Sequence, residues 1–138
     1  MPRKDEYALN LVFNTVLQAD DGPRNADSGM IRSESELLKS LRHLAPLLSG
    51  SVNFNKEQLI FVAFGLRDFG VYEAQICSVI FFVGRGNGAP PLMEVMYREN
   101  SSSAPPSKES VSNPTFPIHV VKVKKHDGVI VFKQKEKA

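Results

Sequence analysis

Apolar and polar residues alternate along the first strand-like segment of the chain. Five apolar residues share one face of this period of two: Tyr7, Leu9, Leu11, Phe13 and Leu17. A repeat of two is that of an extended strand with one buried face. The pattern over residues 7–17 therefore predicts one half-buried strand. The polar residues at 20–29 predict a loop, and a second, short strand is predicted at 30–32.

A helical pattern follows at residues 33–48. Its apolar face recurs at three- and four-residue spacing: Leu37, Leu38, Leu41, Leu44, Ala45 and Leu48. Ser33 and Glu36 have the spacing of a capping box, in which two side chains satisfy free backbone N–H groups at the helix start. Pro46 has no N–H group and is expected to end or kink the helix near Leu44. One helix over about 33–45 is therefore predicted.

From residue 58 onward the pattern is that of strands. The unbroken apolar run 59–64 is typical of a central strand that is covered on both faces. In the next strand one face is predicted to hold the following residues: Tyr72, Ala74, Ile76, Ile80 and Phe82. Further strands are predicted at 93–97, 116–123 and 129–132. The turn 126–128 contains Asp-Gly, a hairpin dipeptide, and so predicts that the last two strands are joined as a hairpin.

This order of elements indicates an α+β fold. Consecutive strands with short turns favour antiparallel pairing, so we expect a mostly antiparallel sheet or sandwich of about six strands with one helix against it. A length of 138 residues suits one domain. The predicted organisation is a flexible N-terminus at 1–6, a single domain at 7–133 and a flexible basic tail at 134–138.

Positive charge is concentrated at the end of the chain. The net charge is +2, but residues 120–138 carry six lysines and two acidic residues, so this end is +4 and the rest is −2. Lysines on a terminal strand are typical of a solvated face or of an edge guarded against pairing. The arginines and stacking aromatic residues of a nucleic-acid surface are absent around them. No nucleic-acid partner is predicted.

The length and type of the apolar segments indicate in which cellular compartment the protein is expected. No apolar run reaches about 18 residues, so no transmembrane segment is predicted. The polar start and the alternating segment after it do not resemble a signal peptide. We therefore expect a cytoplasmic protein or a trimmed secreted domain.

Residues with catalytic or ligating chemistry are few and scattered. The single cysteine, Cys77, lies mid-strand, and His43, His119 and His126 have no close ligand spacing. The glycine-rich segment 84–88 is followed by two prolines and a strand instead of the helix that a phosphate loop needs. We therefore predict no enzyme, no catalytic residue, no cofactor and no metal.

The segment 65–72 is the strongest candidate for a functional loop. Glycines bracket it, and it carries four residues suited to contacts with a protein: Arg67, Asp68, Phe69 and Tyr72. Arginine and aromatic residues dominate the energetics of protein interfaces. Two interpretations stay open, a plain strand connection with Phe69 packed on the core and a contact loop for a protein partner. The Ser/Pro-rich segment 100–113 is a second candidate because of its length.

Several short motifs of the chain resemble the C-terminal domain of the PrcB family. They are Asn53-Phe54-Asn55-Lys56, the apolar run 59–65 that ends in glycine, Gly70-Val71-Tyr72, the segment 116–121 and Gly128-Val129-Ile130-Val131-Phe132. The resemblance covers roughly residues 10–132. The chain departs from the family pattern at Val71, where a second glycine is usual, in its lack of tryptophan, and in its proline after Phe116.

The resemblance implies an accessory or binding domain. Family members associate with other subunits of a bacterial surface protease complex, and no catalytic residues are attributed to them. The predicted function is therefore a non-enzymatic protein-interaction domain that binds or stabilises a protease-type partner.

Three alternatives remain at the level of sequence. The first is a small-molecule- or metal-binding domain of a bacterial protein, with a pocket lined by Phe61, Tyr72 and His119. The second is an enzyme built around Cys77. The third is self-association, in which an exposed apolar edge or patch pairs two copies as a homodimer.

Overall fold

Eight strands and two short helices form the described part of the chain. The computed structural model describes residues 7–67, 72–83, 91–101, 115–126 and 128–135, with the backbone alone for residues 7, 72, 83 and 101. The elements are β1 (Tyr7–Asn10), β2 (Phe13–Ala19), β3 (Asp27–Ile31), α1 (Glu34–Ser40), α2 (Ala45–Leu48), β4 (Glu57–Ala63), β5 (Tyr72–Val83), β6 (Leu92–Ser101), β7 (Ile118–Lys124) and β8 (Val129–Gln134).

The strands form two sheets of four. One sheet, the central sheet, has the order β2-β7-β4-β3 and is antiparallel throughout. The other, the outer sheet, has the order β1-β5-β6-β8 and is antiparallel except for the parallel pair β6 and β8. The expected α+β fold with mostly antiparallel strands is confirmed. It has eight strands where about six were predicted.

The molecule has three layers because the central sheet is buried on both faces. One core lies between this sheet and the helices: Ile31, Leu37, Leu41, Leu44, Ala45, Leu48, Leu59, Phe61, Ala63, Ile118 and Val120. A second core lies between the two sheets: Ile60, Val62, Phe64, Ala74, Ile76, Val79, Phe81, Met93, Val95, Val121 and Val123. Alternate residues of β4 belong to the two cores. The prediction from the apolar run 59–64 of a strand covered on both faces is thereby confirmed.

The prediction of one strand over 7–17 is wrong. The chain leaves the outer sheet after Asn10 and enters the central sheet at Phe13, with the 83% exposed Val12 between them. A bulge in β2 between Thr15 and Leu17 then reverses the phase of the strand. Phe13 therefore packs in the core between the sheets, and Leu17 packs in the core under the helices.

A second bulge, in β5, corrects the predicted face of that strand. The register shifts between Ile76 and Ser78, which places one extra residue, Cys77, in the strand. Beyond the bulge Val79 and Phe81 are buried between the sheets. The predicted core positions Ile80 and Phe82 therefore point to the opposite face and are only half-buried.

The hairpin predicted for the last two strands is wrong, because β7 and β8 belong to different sheets. Gly128 has a φ of +131°, and a Cβ atom at this position would clash with the carbonyl oxygen of Pro91. This backbone lets the chain turn away from β7, and the N–H group of Val129 bonds to the same Pro91 oxygen at 3.0 Å. Gly128 thus serves a crossing between the two sheets.

The helix is shorter than predicted, although its start is as expected. Ser33 caps α1 and its side chain accepts the N–H of Glu36 at 3.2 Å. The carboxylate of Glu36 bonds to the N–H of Arg32 at 2.7 Å, one residue before the position that the capping box predicts. The helix ends at Leu41, where φ is −133°. Pro46 lies in the first turn of α2, where its missing N–H costs no hydrogen bond.

Some predictions fall outside the described residues. These are the N-terminus 1–6, the end of the tail at 136–138, the whole glycine-rich segment 84–88 with Pro90, and the Ser/Pro-rich segment from 102 onward. The tail was predicted to begin at 134, but β8 continues through this residue. In the described ranges no helix is long and apolar enough to cross a membrane.

Candidate functional site

Arg67 of the predicted contact loop is held in place by four acceptors. Its Nε and Nη2 atoms donate to the two carboxylate oxygens of Glu99 at 2.7 and 3.2 Å. Its Nη1 atom donates to the carbonyl oxygens of Phe64 and Leu66, both at 3.1 Å. The guanidinium also lies 5.4 Å from the centre of the Phe64 ring. The arginine thereby ties the end of β4 to β6.

Arg67 also lines an open cleft at the edge of the molecule. The cleft has a volume of about 480 Å³ and lies between residues 26–28 of the central sheet and Tyr97 and Gln134 of the outer sheet. The Arg67 side chain keeps 30% of its surface exposed. Part of it therefore remains accessible for contact with another molecule.

The other three residues of the predicted contact loop are described in part or not at all. Asp68 and Phe69 lie outside the described residues. Tyr72 begins β5 and pairs with Ser101 at the end of β6. Arg67 reaches the same end of β6 through Glu99, so the structure brings Arg67 and Tyr72 to one end of the outer sheet.

His119 is buried, and its ring connects the two sheets through hydrogen bonds. Its Nδ1 atom accepts the backbone N–H of Ile76 at 2.8 Å. The ring proton is therefore on Nε2, which donates to the hydroxyl oxygen of Thr15 at 2.8 Å. Burial lowers the pKa of His119 from 6.5 to about 4. Both nitrogens are occupied, so the neutral ring joins the two bulged strands and neither nitrogen is free for a metal.

The pocket proposed for Phe61, Tyr72 and His119 is not formed by its described members. Phe61 packs under the helices, whereas His119 lies on the opposite face of the central sheet against Ile76 and Thr15. A filled sheet separates the two side chains. In the described ranges no group of three or more His, Cys, Asp or Glu residues converges as a metal site would require.

Cys77, the centre of the alternative enzyme hypothesis, is the extra residue of the β5 bulge. Its thiol is half-buried and lies 3.8 Å from the carbonyl oxygen of Gln75. A bulge explains the position of this residue without a catalytic role, since it re-aims the strand and fixes its phase.

The outer sheet presents an apolar face to solvent on the side away from the central sheet. We call this the open face, because no described element covers it. Strand register places six large apolar side chains of β5, β6 and β8 there: Ile80, Phe82, Leu92, Met96, Val129 and Val131. Five are half-buried and Val129 is 47% exposed. Glu94 and Lys133 lie among them and form an ion pair of 3.2 Å.

The far end of the open face is polar and ordered by hydrogen bonds. Arg98 donates its Nε–H to the side-chain oxygen of Gln75 at 3.1 Å, and Asn100 donates to the same oxygen at 2.5 Å. An apolar centre beside a polar, hydrogen-bonded margin is the usual composition of a protein interface.

Sequence reasoning missed the open face for a specific reason. Ile80 and Phe82 have the composition of core residues, and an unbroken period of two assigns them to the core. The one signal for the correct phase was the pair of apolar residues Val79 and Phe81. In a strand with a bulge these two residues face the core in place of Ile80 and Phe82.

Comparisons of the chain with protein-family models, with curated proteins and with solved structures find no significant match. The fold and the geometry described above are therefore the basis for a functional proposal.

Proposed function

We propose that this protein is a non-enzymatic protein-interaction domain and that the open face is its contact surface. The observation that carries the proposal is the difference between the two sheets. The central sheet is covered on both faces, whereas the outer sheet leaves six apolar side chains on a face that no described element covers. A contiguous apolar patch of this kind marks an interaction site in a folded protein.

The charges of the open face favour a folded protein as its occupant. In the described strands this face carries Glu73, Glu94, Arg98 and Lys133, two of each sign. A face without excess positive charge would release no counterions from the phosphate backbone of a nucleic acid, so the main electrostatic contribution to nucleic-acid binding would be missing. An apolar centre with balanced charges around it instead matches another protein surface.

The resemblance to the PrcB C-terminal family supports an accessory role with a protease-type protein as the partner. Arg67 and Tyr72, at the end of the outer sheet where residues 99–101 lie, form a second part of the proposed contact surface, separate from the open face, because Arg67 bonds to Glu99 on the side of the sheet that faces the central sheet. Asp68 and Phe69 of the same loop belong to this part of the proposal on sequence grounds.

The test replaces open-face residues without weakening the strand. In the double variant Phe82→Thr, Val131→Thr, threonine keeps a β-branched or strand-compatible side chain but removes apolar contact area. The partner is captured from source cells with the wild-type domain, identified, and titrated as a purified protein. We expect the Kd of the double variant to rise at least about tenfold, as for a residue at the centre of an interface.

The matched control removes apolar surface elsewhere. Leu38 and Leu47 lie in the helices and are 54% and 63% exposed. The variant Leu38→Gln, Leu47→Gln should bind as the wild type does. Equal Kd values for both double variants, or failure to recover any partner, would contradict the proposal.

Self-association is a second candidate, favoured by the ion pair between Glu94 and Lys133. A face that carries both signs side by side can meet its own copy, because a twofold axis brings Lys133 of one copy against Glu94 of the other. Light scattering decides this case. A dimer in the wild type that dissociates in the Phe82→Thr, Val131→Thr variant would make the second copy the partner.

A further inference from the structure

A pocket with excess positive charge lies in the helix layer, across the central sheet from the outer sheet. We call it the basic pocket. Its volume is about 470 Å³, and its walls are the turn 21–24 after β2, the end of α1 and the 3₁₀ turn Arg42–Leu44. This volume lies in the range of small-ligand sites.

The walls of the basic pocket are fixed to each other and to the central sheet. The Nε2–H of His43 donates to the carbonyl oxygen of Asp21 at 2.7 Å, which joins the 3₁₀ turn to the turn after β2. The N–H of Gly22 donates to the carbonyl oxygen of Phe116 at 2.7 Å. A Cβ atom on Gly22 would lie 2.8 Å from that oxygen, so only glycine allows this close approach. The backbone of the turn 21–24 and that of the 3₁₀ turn are therefore held in a fixed arrangement.

Three cations line the pocket without an acidic partner in the described residues. They are Arg24, Lys39 and Arg42, and none of them takes part in an ion pair there. By contrast, Arg67, Lys122 and Lys133 each have a carboxylate partner. Asp21 is the single carboxylate of the lining, which leaves a net charge of +2. Unpaired cations around a concavity raise the local concentration of anions.

A favourable interaction with the end of α1 accounts for the position of only one of these three cations. Lys39 lies in the last turn of the helix, where a positive charge interacts favourably with the terminal carbonyl groups. Arg24 and Arg42 lie outside α1, on the two other walls. All three side chains are exposed, and what they share is the lining of this one concavity.

We propose that the basic pocket binds the dianionic phosphate group of a small phosphate monoester. Such a group carries about −1.5 to −2 charges at neutral pH, which matches the excess charge of the lining. Guanidinium groups bind phosphate oxygens in a bidentate geometry, and Arg24 and Arg42 supply two of them. The hydroxyl of Ser40 in the same wall is a further donor. This site is independent of the open face.

The proposal is tested by titration with phenyl phosphate and with phenyl sulfate, its monoanionic analogue, followed by amide chemical shifts. We expect saturable shifts confined to residues 21–24 and 39–43 with phenyl phosphate. The variant Lys39→Gln, Arg42→Gln should bind at least about tenfold more weakly, because it loses two charged hydrogen-bond donors. Arg24→Gln, on the opposite wall, should weaken binding independently.

The control variant removes the same charge at another place. Lys56→Gln, Lys124→Gln changes two exposed lysines that line a different pocket, and its affinity should stay within about twofold of the wild type. Three results would overturn the proposal: no saturable shift in the wild type, equal weakening in the control variant, or equal affinity for phenyl sulfate. Each would indicate attraction by general charge without a phosphate site.

Discussion

His119 makes the stability of the fold depend on pH. Its pKa is about 4 in the folded protein and 6.5 in the unfolded chain, so the unfolded chain binds a proton that the folded protein excludes. The contribution of this group to stability is fully present above pH 6.5 and is lost as the pH falls to about 4. The free energy of unfolding should decrease by about 3 kcal/mol over this window from His119 alone.

Urea denaturation at pH 7, 5.5 and 4 measures this loss, with His119→Gln as the reference. Glutamine retains one acceptor and one donor but does not titrate. The variant should be less stable than the wild type at pH 7, and the difference should shrink as the pH falls. Parallel curves for the two proteins would show that His119 does not carry the pH dependence.

Arg67 has a structural role that any functional test of the contact loop must separate from binding. Its ion pair with Glu99 is partly buried, with 30% and 13% of the two side chains exposed. Arg67→Ala should lower the free energy of unfolding by about 1 to 2 kcal/mol, because it leaves the Glu99 carboxylate without this partner. A double-mutant cycle with Glu99→Ala measures the coupling, and strictly additive effects would contradict it.

At the scale of elements, the crossing between β7 and β8 depends on Gly128. Alanine at this position combines an unfavourable positive φ with a clash against the Pro91 oxygen. We expect Gly128→Ala to destabilise the protein by about 2 kcal/mol or more. Gly50→Ala is the matched control, because its Cβ would meet no atom within 4 Å. Thermal melting of the two variants gives the comparison, and equal Tm values would refute the role of Gly128.

The sequence predicts elements well where one signal dominates. The start of α1 was predictable because Ser33 is a strong cap. The strand β4 was predictable because a short apolar run that ends in glycine is typical of a strand covered on both faces. The bulges in β2 and β5 could not be predicted, since one extra residue reverses the faces without changing composition. The split between β1 and β2 was hidden for a different reason, since the alternation continues through Leu11 and Phe13, which both pack against the core between the sheets.

The candidate site was predictable only in part. Arg67 is recognisable as an unusual residue of a glycine-bracketed loop. Its partner Glu99 lies 32 residues away, so the ion pair follows from the fold and not from local pattern. The open face depends on the phase of β5 after its bulge, and the basic pocket depends on a turn and a helix end that lie far apart in sequence.

At the scale of the whole molecule, the two proposed binding sites lie in different layers. The open face lies on one outer side and the basic pocket lies in the helix layer, with the central sheet between them. Variants of one site should therefore leave the other unchanged. This separation allows the two proposals to fail independently.

The parallel pairing of β8 with β6 has a consequence for how the protein is made. Val129, Val131 and Lys133 come from β8, so the open face is incomplete until residue 134 has left the ribosome. Truncated products that lack β8 also lose Ile130 and Phe132, which pack against the core between the sheets. A partner that recognises the finished face would thus discriminate chains that contain β8 from chains that end before it during biosynthesis.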